Sequence, residues 1–137
     1  MGSRGLLWRA PAVLAAALHT LFFLGEAVFF THPAVQERFR VPAGAGEALR
    51  VPMLNQGFYN LFLAAGCALG VALATKRPRE GRTLVAYTCA FMVGAGIVLV
   101  CSEPRLVAGA CVQALPPLLA LLALRADRPA DPAAGGD

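Results

Sequence analysis

The chain has 137 residues, 58% of them hydrophobic, with a mean hydropathy of +0.63 and a formal net charge of +4. A soluble domain is usually about 45–50% apolar, so the composition excludes an ordinary water-soluble fold. The basic residues gather at the ends of apolar runs, which is a topology signal; no nucleic-acid partner is expected.

A membrane span needs roughly 20 mostly apolar residues. Four runs meet or approach that length: residues 11–30, 53–75, 84–101 and 106–124. They leave no room for a separate soluble domain. The expected fold is all-α: a multi-pass membrane protein whose four transmembrane helices form an antiparallel bundle over residues 1–125. A disordered cytoplasmic tail, residues 126–137, follows.

The first run has Arg4 and Arg9 before it, like a signal peptide. Its apolar stretch is longer than the roughly 7–15 residues of a signal sequence, and no small-x-small cleavage site closes it. It reads as a retained helix. His19 falls near its middle and Glu26 in its outer half, seven residues apart and so on one helical face. Ionisable residues inside a span point to function by default.

Residues 31–52 form the longest connection. Thr31-His32-Pro33 has the form of a helix start, with proline at the first helical position. A short amphipathic turn over residues 34–40 follows, and Pro42, Gly44, Gly46 and Pro52 are expected to keep the remainder irregular. The second run opens on Asn55, Gln56, Tyr59 and Asn60. At 100° per residue these four fall within about 140° of arc. Gly66 and Gly70 share that arc, so the face is expected to point inward and pack closely.

Residues 76–82 make a short basic loop that anchors topology near anionic lipid. The third run carries Tyr87 and Thr88 near one end, expected as interface anchors, and a small-residue pair, Ala90 and Gly94. Ser102-Glu103-Pro104 reads as a tight hairpin in which Ser102 caps and Pro104 starts the fourth helix. In the fourth run Gln113 lies near the middle. Pro116 and Pro117 free backbone carbonyls one turn earlier, at Val112 and Gln113.

Arg4, Arg9, Lys76, Arg77, Arg79, Arg82, Arg125 and Arg128 flank one side of the spans, and only Arg38, Arg40, Arg50 and Arg105 the other. The positive-inside rule places both termini in the cytoplasm, and the expected location is the plasma (inner) membrane of a bacterium. Cys67, Cys89, Cys101 and Cys111 include no C-x-x-C pair. Thiol redox chemistry is therefore unsupported, and they read as small buried hydrophobes. One intramembrane histidine is too few for a typical metal site, so no metal or cofactor is expected.

The depths of these polar residues agree. His19, Glu26, Asn55, Gln56, Tyr59, Asn60 and Gln113 are the candidate ligand-binding residues of one polar pocket, open towards the outside. The competing reading is a hydrogen-bond network that only fixes helix register, at roughly 0.6 kcal/mol per bond.

The chain resembles a family of small bacterial integral membrane proteins known as domain of unknown function 1304. Three stretches carry the likeness: residues 18–26 with His19 and Glu26, residues 55–66 from Asn55 to Gly66, and residues 113–121 beginning Gln113-Ala114-Leu115-Pro116-Pro117. In the last the family tends to show Pro-Ala, so Pro117 departs from it. The resemblance implies a four-helix membrane protein and no established activity.

Three function classes stay open at this point. The first binds or carries a small amphipathic molecule, with membrane lipids as the other expected partner. The second is a membrane enzyme using His19 and Glu26 as an acid/base pair. The third is a proton-coupled transporter or accessory subunit, for which four helices are few and a homo-oligomer would be needed.

Overall fold

The computed structural model describes residues 3–127, and among these there is no strand. Helix α1 (Ser3–Phe23) runs directly into a π-helical segment (Leu24–Val28). Then come the short helix α2 (Pro33–Arg38), α3 (Gly46–Leu73), α4 (Pro78–Ser102), a 3₁₀ turn (Pro104–Leu106) and α5 (Val107–Ala126). Four helices are long and apolar enough to cross a membrane: Leu7–Val28, Gly46–Leu73, Pro78–Ser102 and Pro104–Ala126. They form a four-helix membrane bundle. Each of α1 and α4 packs on both α3 and α5, closing a ring in the order α1, α3, α4, α5. The chain reverses between spans, so α1 begins and α5 ends at one end, the terminal end. Helix α2 lies at the other, the far end.

The packing is that of a protein dissolved in lipid. Small side chains fill the interior: Ala12, Ala15 and Ala16 from α1, Ala64 and Cys67 from α3, and Ala120 from α5. Leu21, Phe62, Leu69, Phe91, Val98 and Leu119 point outward and are exposed. An apolar exterior of this kind suits hydrocarbon, and small residues inside let backbones approach closely. Gly70 is one such contact: a Cβ there would stand 2.8 Å from Val85 Cγ2 and 3.0 Å from the Gly81 carbonyl oxygen. Gly66 likewise backs onto the Thr88 methyl. The Gly66/Gly70 pair thus serves packing inside the bundle.

Several expectations are corrected. Pro52 does not keep its surroundings irregular; it lies inside α3, which starts at Gly46. A proline in the second turn loses one backbone bond but fits the helical φ. Pro78 starts α4, so Arg79 to Arg82 belong to its first turns and not to a loop. Glu103, not Ser102, caps the last hairpin: its carboxylate accepts from the Arg105 backbone N–H over 3.2 Å. Pro104 opens the 3₁₀ turn ahead of α5. Thr88 is buried, with its hydroxyl donating to the Leu84 carbonyl over 2.9 Å, and is no interface anchor. Ala90 and Gly94 are exposed, and a Cβ on Gly94 would meet nothing within 4 Å. Cys101 and Cys111 are exposed, while Cys67 and Cys89 are buried as expected. The expected helix start at His32-Pro33 is present as α2, with the His32 ring nitrogen accepting from the Ala34 N–H over 3.3 Å. Of the expected tail, residues 128–137 lie outside the described residues.

Candidate functional site

Glu26 is held on the π-helical segment. Its wider turn is marked by the Phe29 N–H donating to the Leu24 carbonyl five residues back, over 2.8 Å. Such single π turns occur often at functional sites, because the extra residue re-aims a side chain. Here it turns Glu26 inward, leaving it only 7% exposed. Helix α3 comes close at this level because Gly57 lacks a side chain: a Cβ would lie 2.8 Å from Ala27 Cβ and 3.3 Å from Glu26 Cβ. One turn further along, Asn60 is buried on the same face. Its amide Nδ2 donates to Glu26 Oε2 over 2.6 Å. Among the described residues no Lys or Arg forms an ion pair with Glu26. A carboxyl out of water beside a neutral amide is only partly satisfied, since one hydrogen bond meets one of about four acceptor positions.

His19 lies two turns deeper on α1 and is fully buried. Its Nδ1 bonds the Ala15 carbonyl over 2.9 Å. A carbonyl only accepts, so Nδ1 carries the hydrogen. In the neutral ring Nε2 is then a bare acceptor, and it has no partner. The ring meets Phe22 edge-on, with centroids 5.5 Å apart. Phe23, Phe58 and Phe62 form an aromatic ladder beside the Glu26 region, with Phe23 and Phe58 centroids 5.4 Å apart.

The remaining candidates are placed elsewhere. Asn55, Gln56 and Tyr59 are exposed. The expectation of a polar face turned wholly inward is therefore corrected to Asn60 alone. At 1.5 Å per residue α3 is about 42 Å long, against a hydrocarbon core of roughly 30 Å. Asn55 and Gln56 lie further towards its far end than Asn60, where surroundings are more polar. Gln113 is half-buried and makes no side-chain hydrogen bond among the described residues, and none reaches the Val112 or Gln113 carbonyl. Pro116 and Pro117 are buried within a continuous α5. The structure thus brings together Glu26 and Asn60, with His19 below them on the same helix. It does not bond His19 to Glu26.

Two features were missed in the sequence. Cys67 and Cys89 face each other across α3 and α4 with sulfurs 4.0 Å apart, and the Cys67 thiol donates to the Ala12 carbonyl over 3.4 Å. At the terminal end Arg82 donates to Asp127 Oδ2 over 2.6 Å and to the Leu124 carbonyl over 2.9 Å, with its guanidinium 5.8 Å from the buried Trp8 ring. The spacing of Cys67 and Cys89 forms no motif, and Arg82 stands in a basic run that reads as a topology anchor near anionic lipid.

The model of a family described as "Protein of unknown function (DUF1304)" matches residues 13–125. No curated protein and no solved structure matches the chain.

Proposed function

The chain belongs to the DUF1304 family, and from that premise, which supplies no activity, we propose that it binds or carries a small amphipathic molecule inside the bundle. The observation that carries this reading is the buried Glu26 carboxyl, whose described hydrogen-bond partner is the neutral amide of Asn60. Two carboxamides would fix helix register at less cost than a carboxyl, which is expensive to bury without a counter-charge. His19 Nε2 is buried without a partner, and of the Glu26 oxygens Oε2 accepts from Asn60 while Oε1 accepts no described hydrogen bond. In the neutral ring and the ionised carboxyl both open positions are acceptors. The complementary ligand is therefore a donor: an alcohol or amine head on an apolar body.

In this reading the site opens towards the far end, and the larger number of basic residues at the terminal end supports taking the far end as the outside of a plasma membrane with both termini in the cytoplasm. Solvent extraction of the purified protein followed by mass spectrometry tests the reading. One reproducible amphipathic compound at near-equal molar yield supports it. Preparations that repeatedly carry none overturn it.

A second reading, proton-coupled transport, draws on His19. Its unpartnered Nε2 lies deeper than Glu26 on the same helical face and would extend a proton path inward. The acid/base enzyme has less support, because His19 and Glu26 have separate partners, the Ala15 carbonyl and Asn60.

A further inference from the structure

We propose that the cleft between α4 and α5 at the terminal end of the bundle is a binding site for the headgroup of an anionic phospholipid. The cleft has a volume of about 660 Å³. Its charged lining comes from both helices: Arg79 and Arg82 in the first turns of α4, and Arg125 in the last turn of α5. Thr83 adds a hydroxyl beside them, and Ala86 and Leu121 form an apolar wall deeper along the helices. Guanidiniums at the mouth with leucine and alanine one turn further in match a phosphate at the interface with its acyl chain running down the groove.

The three arginines are not equivalent. Arg82 is occupied, with Asp127 and the Leu124 carbonyl as partners. Arg79 and Arg125 are exposed and form no ion pair among the described residues. Glu80 lines the neighbouring cleft with Arg79 and Tyr87. Two guanidiniums thus remain uncompensated over a groove whose floor is apolar. Guanidinium forks match phosphate oxygens two at a time. Basic pockets between membrane helices hold acidic headgroups for this reason. A freely soluble anion would gain nothing from the Ala86 and Leu121 wall, so the occupant is a lipid.

The test uses the full chain in nanodiscs of equal parts phosphatidylglycerol and phosphatidylethanolamine, reading by native mass spectrometry which lipid stays bound. The wild type is expected to retain phosphatidylglycerol preferentially. Each arginine near an anionic surface is worth roughly five-fold, so the double variant Arg79→Gln/Arg125→Gln should lose about twenty-five-fold of that preference. Leu121→Trp, which fills the groove without changing charge, should lower it as well. Arg38→Gln/Arg40→Gln, at the far end, should leave it unchanged. Excess inorganic phosphate should not displace the lipid. Equal retention of the two lipids by the wild type would overturn the proposal. So would undiminished preference in the Arg79/Arg125 variant or in Leu121→Trp, an equal drop in the Arg38/Arg40 variant, or displacement by inorganic phosphate.

Discussion

The Asn60 amide reaches the Glu26 carboxylate over 2.6 Å, joining residues 34 positions apart, because Gly57 one turn away lets α3 lie against the π-helical segment. Sequence, local geometry and site are linked at this point. The π turn directs the carboxyl inward, the glycine brings the partner helix close, and the carboxamide completes the contact.

The first prediction concerns that approach. Gly57→Ala places a methyl 2.8 Å from Ala27 Cβ and 3.0 Å from the Ala27 backbone nitrogen. Overpacking of this kind costs about 1–3 kcal/mol, and it should separate α3 from the segment bearing Glu26. Gly94→Ala, with nothing within 4 Å, should be neutral or stabilising by up to about 1 kcal/mol through helix propensity. Thermal unfolding of the two variants in detergent, followed by circular dichroism, checks the contrast.

The second concerns the pair itself. Glu26→Gln keeps an acceptor for the Asn60 amide, so stability should stay within about 0.6 kcal/mol of wild type, the usual worth of such a bond in a membrane. Asn60→Leu removes the donor and strands the carboxyl, which should cost about 1–3 kcal/mol. If Glu26→Gln destabilises as much as Asn60→Leu, the carboxyl is needed for folding, and the reading of it as a recognition group loses its basis.

The third concerns Arg82. Its bonds to Asp127 and the Leu124 carbonyl tie the start of α4 to the end of α5. Hydrogen bonds to a charged, half-buried group are worth about 1.5–3 kcal/mol. Arg82→Ala should therefore lower the unfolding midpoint and speed hydrogen exchange at the end of α5 selectively. Arg82→Lys should restore only part, because an ammonium lacks the planar fork. Uniform exchange along α5 in Arg82→Ala would count against the tie.

The fourth concerns the thiols. Cys67 and Cys89 are fully buried, and Cys101 and Cys111 are exposed. A lipid-soluble maleimide should modify Cys101 and Cys111 while leaving Cys67 and Cys89 unmodified until the bundle unfolds. Peptide mapping after timed labelling gives the order. Early reaction at Cys67 would contradict the packing of α3 on α4.

The four spans were legible because lipid demands long apolar runs and nothing else in the chain imitates them. Their ends were not. Pro52 reads as a breaker, yet in the second turn of α3 it costs one backbone bond and fits the helical φ; Pro78 opens α4, where its missing N–H has no partner to lose. In the site, Glu26 stands out as an ionisable residue inside a span, and Asn60 only as one of four polar residues on one helical arc. Asn55, Gln56 and Tyr59 were grouped with them by helical arc, but an arc does not say where a neighbouring helix lies. The stripe that does is Gly57, Asn60, Ala64, Cys67 and Gly70, all buried and spaced by three or four. Small residues mark the packed side, and among the polar residues of this run only Asn60 lies on it. The π turn at Glu26 is marked by no proline, glycine pair or other breaker within Leu24–Val28 beyond the single Gly25.

Recognition of a ligand by Glu26 is decided by comparing the small molecules extracted from wild type, Glu26→Gln and Asn60→Leu purified in parallel, with unfolding midpoints recorded for each. One amphipathic donor-bearing compound is expected with the wild type, and its loss in Glu26→Gln at unchanged stability. A compound retained equally by Glu26→Gln, or none with any of the three, would contradict it and leave Glu26 and Asn60 as a contact that only sets helix register.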